Sequence, residues 1–211
     1  EFRRVLFRSR RQRVEVDQVT AGDHLAVVVS ARHQEGQSEL GGRRARLRAR
    51  ARVEPVGEIV LNTAELTLGN VVLSNAAGRR LEAVVATDEE TERSTLTLDG
   101  TANTGAWKLD IAFDGILNDD LRGFYRSVYT DPDGVEKTIA TTQFEATEAR
   151  RAFPCWDEPD LKATFGVTLI VEAGLTAISN AAEAERTDVA DGKVRVRFED
   201  TIKMSTYLVA F

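Results

Sequence analysis

The residues best suited to chemistry lie in one short segment, TTQFEATEARRAFPCWDEP, which spans residues 141–159. It holds three glutamates, two arginines and the only cysteine of the chain. A cysteine acts as a nucleophile only as a thiolate beside a basic partner. The only two histidines, His24 and His33, lie far upstream, so Cys155 is not expected to be a nucleophile. The segment is left with hydrogen bonding and ion pairing as its chemistry.

Within this segment, Arg150 and Arg151 are expected to pair with acids close in sequence, such as Glu148, Asp157 or Glu158. Its apolar residues are expected to form a packed turn, which comprises Phe153, Pro154, Cys155, Trp156 and Pro159. Taken alone, Gln143 and Glu145 would be solvated polar residues at the end of a strand. Their side chains could act together on a ligand only if a rigid support fixed their positions.

The elements that could provide this support are strands. Apolar and polar residues alternate along residues 107–114, 165–171 and 194–198, and a period of two sends successive side chains to opposite faces of a strand. Pro132 and Gly134 of an Asp-Pro-Asp-Gly turn lie between two β-rich stretches and predict a hairpin. Long amphipathic helical patterns are missing. We therefore expect an all-β fold, either an antiparallel β-sandwich or a saddle-shaped curved sheet.

Length and composition limit the classes of protein. The chain has 211 residues, of which 42% are hydrophobic, enough to bury a sizeable core. No stretch approaches the roughly 20 apolar residues that a membrane span needs. One cysteine allows no internal disulfide, which favours a cytoplasmic location. The net charge of -6 argues against a nucleic-acid partner.

The charge is unevenly distributed along the chain. Residues 1–53 carry thirteen arginines, no lysine and six acids, whereas residues 54–211 have a net charge of -13. Residues 1–9 resemble a cloning or adapter scar, and an arginine-rich run without lysine is typical of a GC-rich gene read out of frame. We expect residues 1–51 to be poorly ordered or non-native and the domain to occupy residues 52–211, cut short at its C-terminal end. The alternative is a basic nucleic-acid-binding arm, whose binding would weaken steeply with salt.

Residues 142–165, TQFEATEARRAFPCWDEPDLKATF, resemble the hallmark of the N-terminal β domain of the aminopeptidase N family of zinc exopeptidases. Flanking stretches resemble the same domain in the same order, and they read EIVLNTAELTL, GFYRSVY, VTLIVEAGLTAISN and TIKMSTYLVAF. The resemblance covers residues 52–211. It implies an all-β domain that packs against a catalytic domain and forms one wall of its active site.

The resemblance also implies roles for two residues. Gln143 and Glu145 match the positions that bind the free α-amino group of the peptide substrate in this family. A carboxylate that accepts protons from an ammonium group forms a charge-assisted hydrogen bond, and an internal amide would leave it unpaired. The family pattern further implies a cis peptide bond between Glu145 and Ala146. The partners expected are therefore a peptide N-terminus and the catalytic domain of the same polypeptide.

The zinc-binding part of the family's pattern is missing from this sequence. Hydrolysis requires an H-E-x-x-H helix, in which two histidines bind the metal and the glutamate is the general base. No such motif occurs here, and the family's G-x-M-E-N strand would follow shortly after Phe211. We expect an inactive fragment of a zinc aminopeptidase, with zinc held by the parent enzyme and none by this chain.

The alternative to this interpretation is a non-enzymatic β-sandwich binding or adhesion module. Such a module would need an exposed aromatic platform or an acidic calcium loop. The acidic cluster that comes nearest to such a loop is TDEETERS, residues 87–94, and it is more simply explained as a solvated turn.

Overall fold

The structure, a computed structural model, describes residues 26–33 and 42–211, with the backbone alone for 26–33, 42–44 and 51–52. The expectations for residues 1–25 and 34–41, including the adapter-like start, lie outside this part. Two short 3-10 helices, Ala149–Arg151 and Thr206–Leu208, accompany the strands. The strands, in chain order, are β1 (Ala26–His33), β2 (Gly42–Val53), β3 (Val56–Asn62), β4 (Leu66–Asn75), β5 (Arg80–Asp88), β6 (Arg93–Ala102), β7 (Gly105–Ile116), β8 (Gly123–Thr130), β9 (Glu136–Gln143), β10 (Thr164–Glu172), β11 (Glu183–Val189) and β12 (Lys193–Phe198).

The expected all-β class is confirmed. Ten strands form one sheet in the order β11-β12-β10-β1-β2-β7-β4-β5-β6-β3, and β8 and β9 form a separate hairpin. The pairs are antiparallel except for β1 with β10, which run parallel. The first residues of β5 pair with β4, whereas Ala83–Asp88 pair with β6. The sheet therefore curls along β5 around its buried face.

Alternation of apolar and polar side chains produces this buried face. In β7, four alternate apolar residues point into the core and are at most 4% exposed, namely Trp107, Leu109, Ile111 and Phe113. The arginine-rich strand β2 follows the same rule, because Ala45, Leu47 and Ala49 are buried while the arginines between them are exposed. It pairs with β7 along its whole length. The domain boundary near residue 52 stays a prediction. Strand β2, which belongs to the sheet, begins at Gly42, ten residues before that boundary.

The β8–β9 hairpin leads the chain into the polar segment at residues 141–159. Its turn is closed by the Asp131 carboxylate, which accepts hydrogen bonds from the backbone N–H groups of Asp133 at 3.0 Å and Val135 at 2.9 Å. Lys137 Nζ lies 2.7 Å from the same carboxylate. These contacts confirm the hairpin that Pro132 and Gly134 predict.

The acidic cluster at residues 87–94 forms the turn between β5 and β6. The Asp88 carboxylate accepts hydrogen bonds from the backbone N–H groups of Glu90 at 3.0 Å and Thr91 at 3.3 Å. Hydrogen bonds from Thr91 lower the pKa of Asp88 below its ordinary value. This carboxylate is thus engaged within its own turn.

Candidate functional site

The candidate site begins where strand β9 ends. Gln143, the last residue of β9, pairs with Gly123, the first residue of β8. Gly123 has a φ of +66°, and a Cβ at this position would lie 2.8 Å from the Cβ of Arg151. Because only glycine tolerates both the left-handed backbone and this close approach, Gly123 sets the position of Gln143 against the turn that contains Arg151.

Phe144 anchors the chain immediately after β9. Its side chain is 2% exposed and packs edge-to-face against Phe153, with ring centroids 5.9 Å apart. It also packs against Phe211 at 6.1 Å. The backbone carbonyl of Phe144 accepts a hydrogen bond of 3.0 Å from the N–H of Glu148, which closes the turn that leads into the first 3-10 helix.

Gln143 and Glu145 flank Phe144, and both are exposed. Neither side chain forms a hydrogen bond or ion pair with the part of the chain that the structure describes. The peptide bond between Glu145 and Ala146 is cis, which confirms that expectation. A carboxylate and an amide therefore stand in solvent on either side of a buried aromatic anchor.

Arg151 lies beside this turn and contacts three carboxylates. Its Nε is 2.5 Å from Glu148, its Nη1 is 2.5 Å from Glu65 and its Nη2 is 2.8 Å from Glu92. Burial alone would lower the pKa of Arg151, but the hydrogen bond with Glu148 and the charges of all three glutamates raise it above its ordinary value. We call Arg151, Glu65, Glu92 and Glu148 the Arg151 cluster. It joins three segments that are distant in sequence.

A second arginine connects the turn to a buried carboxylate. Asp157, which is 3% exposed, accepts hydrogen bonds from Arg150 Nε at 3.1 Å and from Thr206 Oγ1 at 2.7 Å. Arg150 Nη1 also lies 3.3 Å from Glu92. Because Asp157 is buried and charged, these donors are needed to offset its loss of hydration.

Cys155 has a structural place in this turn. It exchanges two backbone hydrogen bonds with Asn62, of 2.7 and 3.2 Å, which fasten the turn to the end of β3. Burial raises the pKa of its thiol well above the ordinary value, and the charge of Asp157 adds to this. A thiol held in its neutral form fits the expectation that Cys155 is not a nucleophile.

The structure brings together most of the residues that were expected from the sequence to pair or pack with one another. The pairing of Arg150 with Asp157 and of Arg151 with Glu148 is confirmed. In the expected packed turn Phe153, Pro154 and Cys155 are buried, but Pro159 is exposed because the chain has already left the core there. The two residues that the sequence analysis missed are Glu65 and Glu92, which lie 86 and 59 positions from Arg151.

A family model described as the peptidase M1 N-terminal domain matches residues 32–208. The chain belongs to this family. The match covers the sheet from within β1 onward, the β8–β9 hairpin and the whole of the candidate site.

Curated relatives carry aminopeptidase names. The alanine/arginine aminopeptidase of Saccharomyces cerevisiae is 52% identical over 140 residues, which are 63% of this chain and 16% of the relative. The puromycin-sensitive aminopeptidase of Caenorhabditis elegans is 53% identical over 125 residues, 59% of this chain and 13% of the relative. Aminopeptidase M1 of Arabidopsis thaliana is 41% identical over 156 residues, 72% of this chain and 18% of the relative. The chain thus spans less than a fifth of each.

The described residues contain neither a group of metal ligands nor a helix that could span a membrane. No three histidine, cysteine or acidic side chains converge there as ligands for a metal ion. None of the helices in the same residues has the length and hydropathy that crossing a bilayer requires.

Proposed function

We propose that this M1 N-terminal domain recognises the free N-terminal ammonium group of a peptide through the Glu145 carboxylate, with the Gln143 amide as the second contact. The observation that carries the proposal is the exposure of both side chains beside the buried Phe144. Neither has a competing partner among the residues described, so both are available to a ligand. The turn that holds them is fixed by the packing of Phe144, by the strand pairing of Gln143 and by the ion pair between Glu148 and Arg151.

The chemistry of an ammonium group fits these two side chains. A charge-assisted hydrogen bond contributes roughly 1.5–3 kcal/mol where water is excluded, and much less at an exposed site. An internal peptide bond offers no positive charge, so its binding would leave the Glu145 carboxylate without compensation for lost hydration. We therefore expect this domain alone to bind a peptide N-terminus weakly, and to bind it selectively when a second domain shields the site.

The second domain is proposed to be the catalytic domain of the same polypeptide, which would carry the zinc ion. The described residues of this chain do not supply a ligand set for zinc. The bound metal would activate water for attack on the first peptide bond in the parent enzyme. The role of this chain would be to bind and orient the N-terminus, and the inactivity of the fragment and its lack of zinc stay predictions. A cytoplasmic location also stays a prediction.

The test is a comparison of two variants in the full-length enzyme. Glu145→Gln keeps the shape of the side chain and removes its charge, and we expect it to raise KM for an aminoacyl chromogenic substrate by roughly 10-fold or more. Glu158→Gln is the matched control, because Glu158 is an exposed glutamate in the same segment. A Glu145→Gln enzyme with the KM of the control would refute the proposal.

A second experiment tests the division of labour between the domains. The purified 211-residue chain is incubated with zinc and the same chromogenic substrate. We expect no release of the chromophore above the rate in buffer. Zinc-dependent release by this chain would show that hydrolysis does not need a second domain.

A further inference from the structure

The Arg151 cluster draws its carboxylates from three loops. Glu148 lies in the turn that carries Glu145, Glu65 lies between β3 and β4, and Glu92 lies between β5 and β6. The side chain of Arg151 is 11% exposed, whereas those of Glu148, Glu92 and Glu65 are 22%, 34% and 41% exposed. The shared guanidinium is therefore shielded from solvent more than a surface arginine is, and the carboxylates reach it from the surface. One guanidinium, with its fork of donors, therefore ties the turn around Glu145 to two loops of the sheet.

Two of these carboxylates are held on a strained backbone. Glu65 has a φ of 56° and Glu92 a φ of 52°, in the left-handed region that side chains other than glycine rarely adopt. Within residues 26–33 and 42–211, four non-glycine residues have a positive φ, and two of them are these glutamates. Strain of this kind persists where the surrounding structure fixes it, and it is enriched at functional sites.

The cluster borders the turn at the start of strand β8 and at Glu148. Gln143 is held by its pairing with Gly123, and Gly123 lies against the Cβ of Arg151. At the other end of the turn, Glu148 is held by the Arg151 guanidinium. Glu145 lies between these two fixed points, and its side chain forms no hydrogen bond or ion pair within the described chain. Its placement therefore depends on the residues that hold the ends of the turn.

We propose that Arg151 is a positioning residue for Glu145, and that Glu65 and Glu92 keep a strained backbone in order to hold Arg151. This proposal rests on the proposed function of Glu145. Arg151 does not touch the substrate, and it fixes the turn from which the Glu145 carboxylate reaches the ammonium group. A purely structural cluster would instead stabilise the fold without affecting the affinity for substrate.

The substitution Glu65→Gly distinguishes a positioning role of the cluster from a purely structural one. Glu65→Gly relieves the left-handed backbone and removes one of the three carboxylates from Arg151. If the cluster positions Glu145, KM rises although the thermal stability is retained or improved. If the cluster only stabilises the fold, KM stays at the wild-type value. Asp191→Gly is the matched control, since Asp191 has a φ of 63° in the turn between β11 and β12.

The experiment uses the full-length enzyme with Arg151→Met, Arg151→Lys, Glu65→Gly, Asp191→Gly and Glu145→Gln. Thermal unfolding is measured together with kcat and KM for an aminoacyl chromogenic substrate. We expect KM to rise on the order of tenfold in Arg151→Met, with kcat nearly unchanged, because a small misplacement of a binding group weakens binding. Arg151→Lys keeps the charge but not the fork of donors, so its KM should be intermediate. Glu65→Gly should raise KM, and Asp191→Gly should not.

The outcomes separate the two proposals. A wild-type KM in both Arg151→Met and Glu65→Gly, with a raised KM in Glu145→Gln, would overturn the positioning role and leave the proposed function intact. A wild-type KM in Glu145→Gln would overturn the proposed function itself. If Arg151→Met fails to fold, Glu65→Gly decides, because it removes strain from the backbone and is expected to fold.

Discussion

Replacement of Gly123 by alanine probes the packing beneath the candidate site. A side chain at φ +66° costs about 1–2 kcal/mol relative to glycine. The new Cβ would also lie 2.8 Å from the Cβ of Arg151, a distance that real Cβ contacts do not show. Arg151 cannot withdraw easily because three carboxylates hold its guanidinium. Overpacking of this kind costs about 1–3 kcal/mol, so we expect a total loss of about 2–5 kcal/mol in the free energy of unfolding.

Gly134→Ala is the control for the backbone contribution. Gly134 has a φ of +81°, and nothing lies within 4 Å of a Cβ built there. Its replacement should cost only about 1–2 kcal/mol. Both variants of the 211-residue chain are unfolded in urea, and the urea concentrations at their unfolding midpoints are compared. A shift of the midpoint with an unchanged m-value reports a change in the free energy of unfolding. Equal losses in the two variants would refute the claim that Gly123 is required for the approach of Arg151.

Two further perturbations test the ion pairs around the site and in the hairpin. Asp157→Ala leaves the guanidinium of Arg150 without its buried partner and should cost about 3–5 kcal/mol in urea unfolding, whereas Asp119→Ala, at an exposed pair, should cost less than about 1 kcal/mol. Similar losses in both would contradict the structural role of Asp157. The hydrogen bond with Lys137 holds the pKa of Asp131 below its ordinary value of 3.8, so the stability from this carboxylate is complete above pH 3.8 and is lost as the pH falls through the lowered pKa. NMR signals of the hairpin should therefore titrate with a midpoint below 3.8, and a midpoint at or above it would refute the contact.

Much of the fold could be predicted from the sequence because it depends on local periodicity. The alternation over residues 107–114 predicts β7, and the Asp-Pro-Asp-Gly turn predicts the β8–β9 hairpin. The parallel pairing of β1 with β10 could not be predicted, because the two strands are far apart in the chain and no local pattern records which strands become neighbours.

The same distinction applies to the candidate site. The pairing of Arg151 with Glu148 was predictable because three residues separate them in one turn. The contacts of Arg151 with Glu65 and Glu92 were not, since they depend on two remote loops and on left-handed backbone at both glutamates. The roles of Gln143 and Glu145 and the cis bond between Glu145 and Ala146 were implied by the family resemblance. The cis bond is confirmed, and the two roles stay a proposal.

The central claim is that the Glu145 carboxylate binds a peptide's ammonium group. It is tested most directly by inhibition constants for two ligands, an amino-acid amide and the analogue with a hydroxyl in place of the amine. Both are measured on the wild-type full-length enzyme and on Glu145→Gln. For each enzyme, the ratio of the two inhibition constants gives the loss of affinity when the amine is replaced by a hydroxyl. We expect this ratio to be roughly 10- to 100-fold larger for the wild type than for Glu145→Gln. An equal loss in both enzymes would show that the ammonium group and Glu145 do not interact, and would contradict the account.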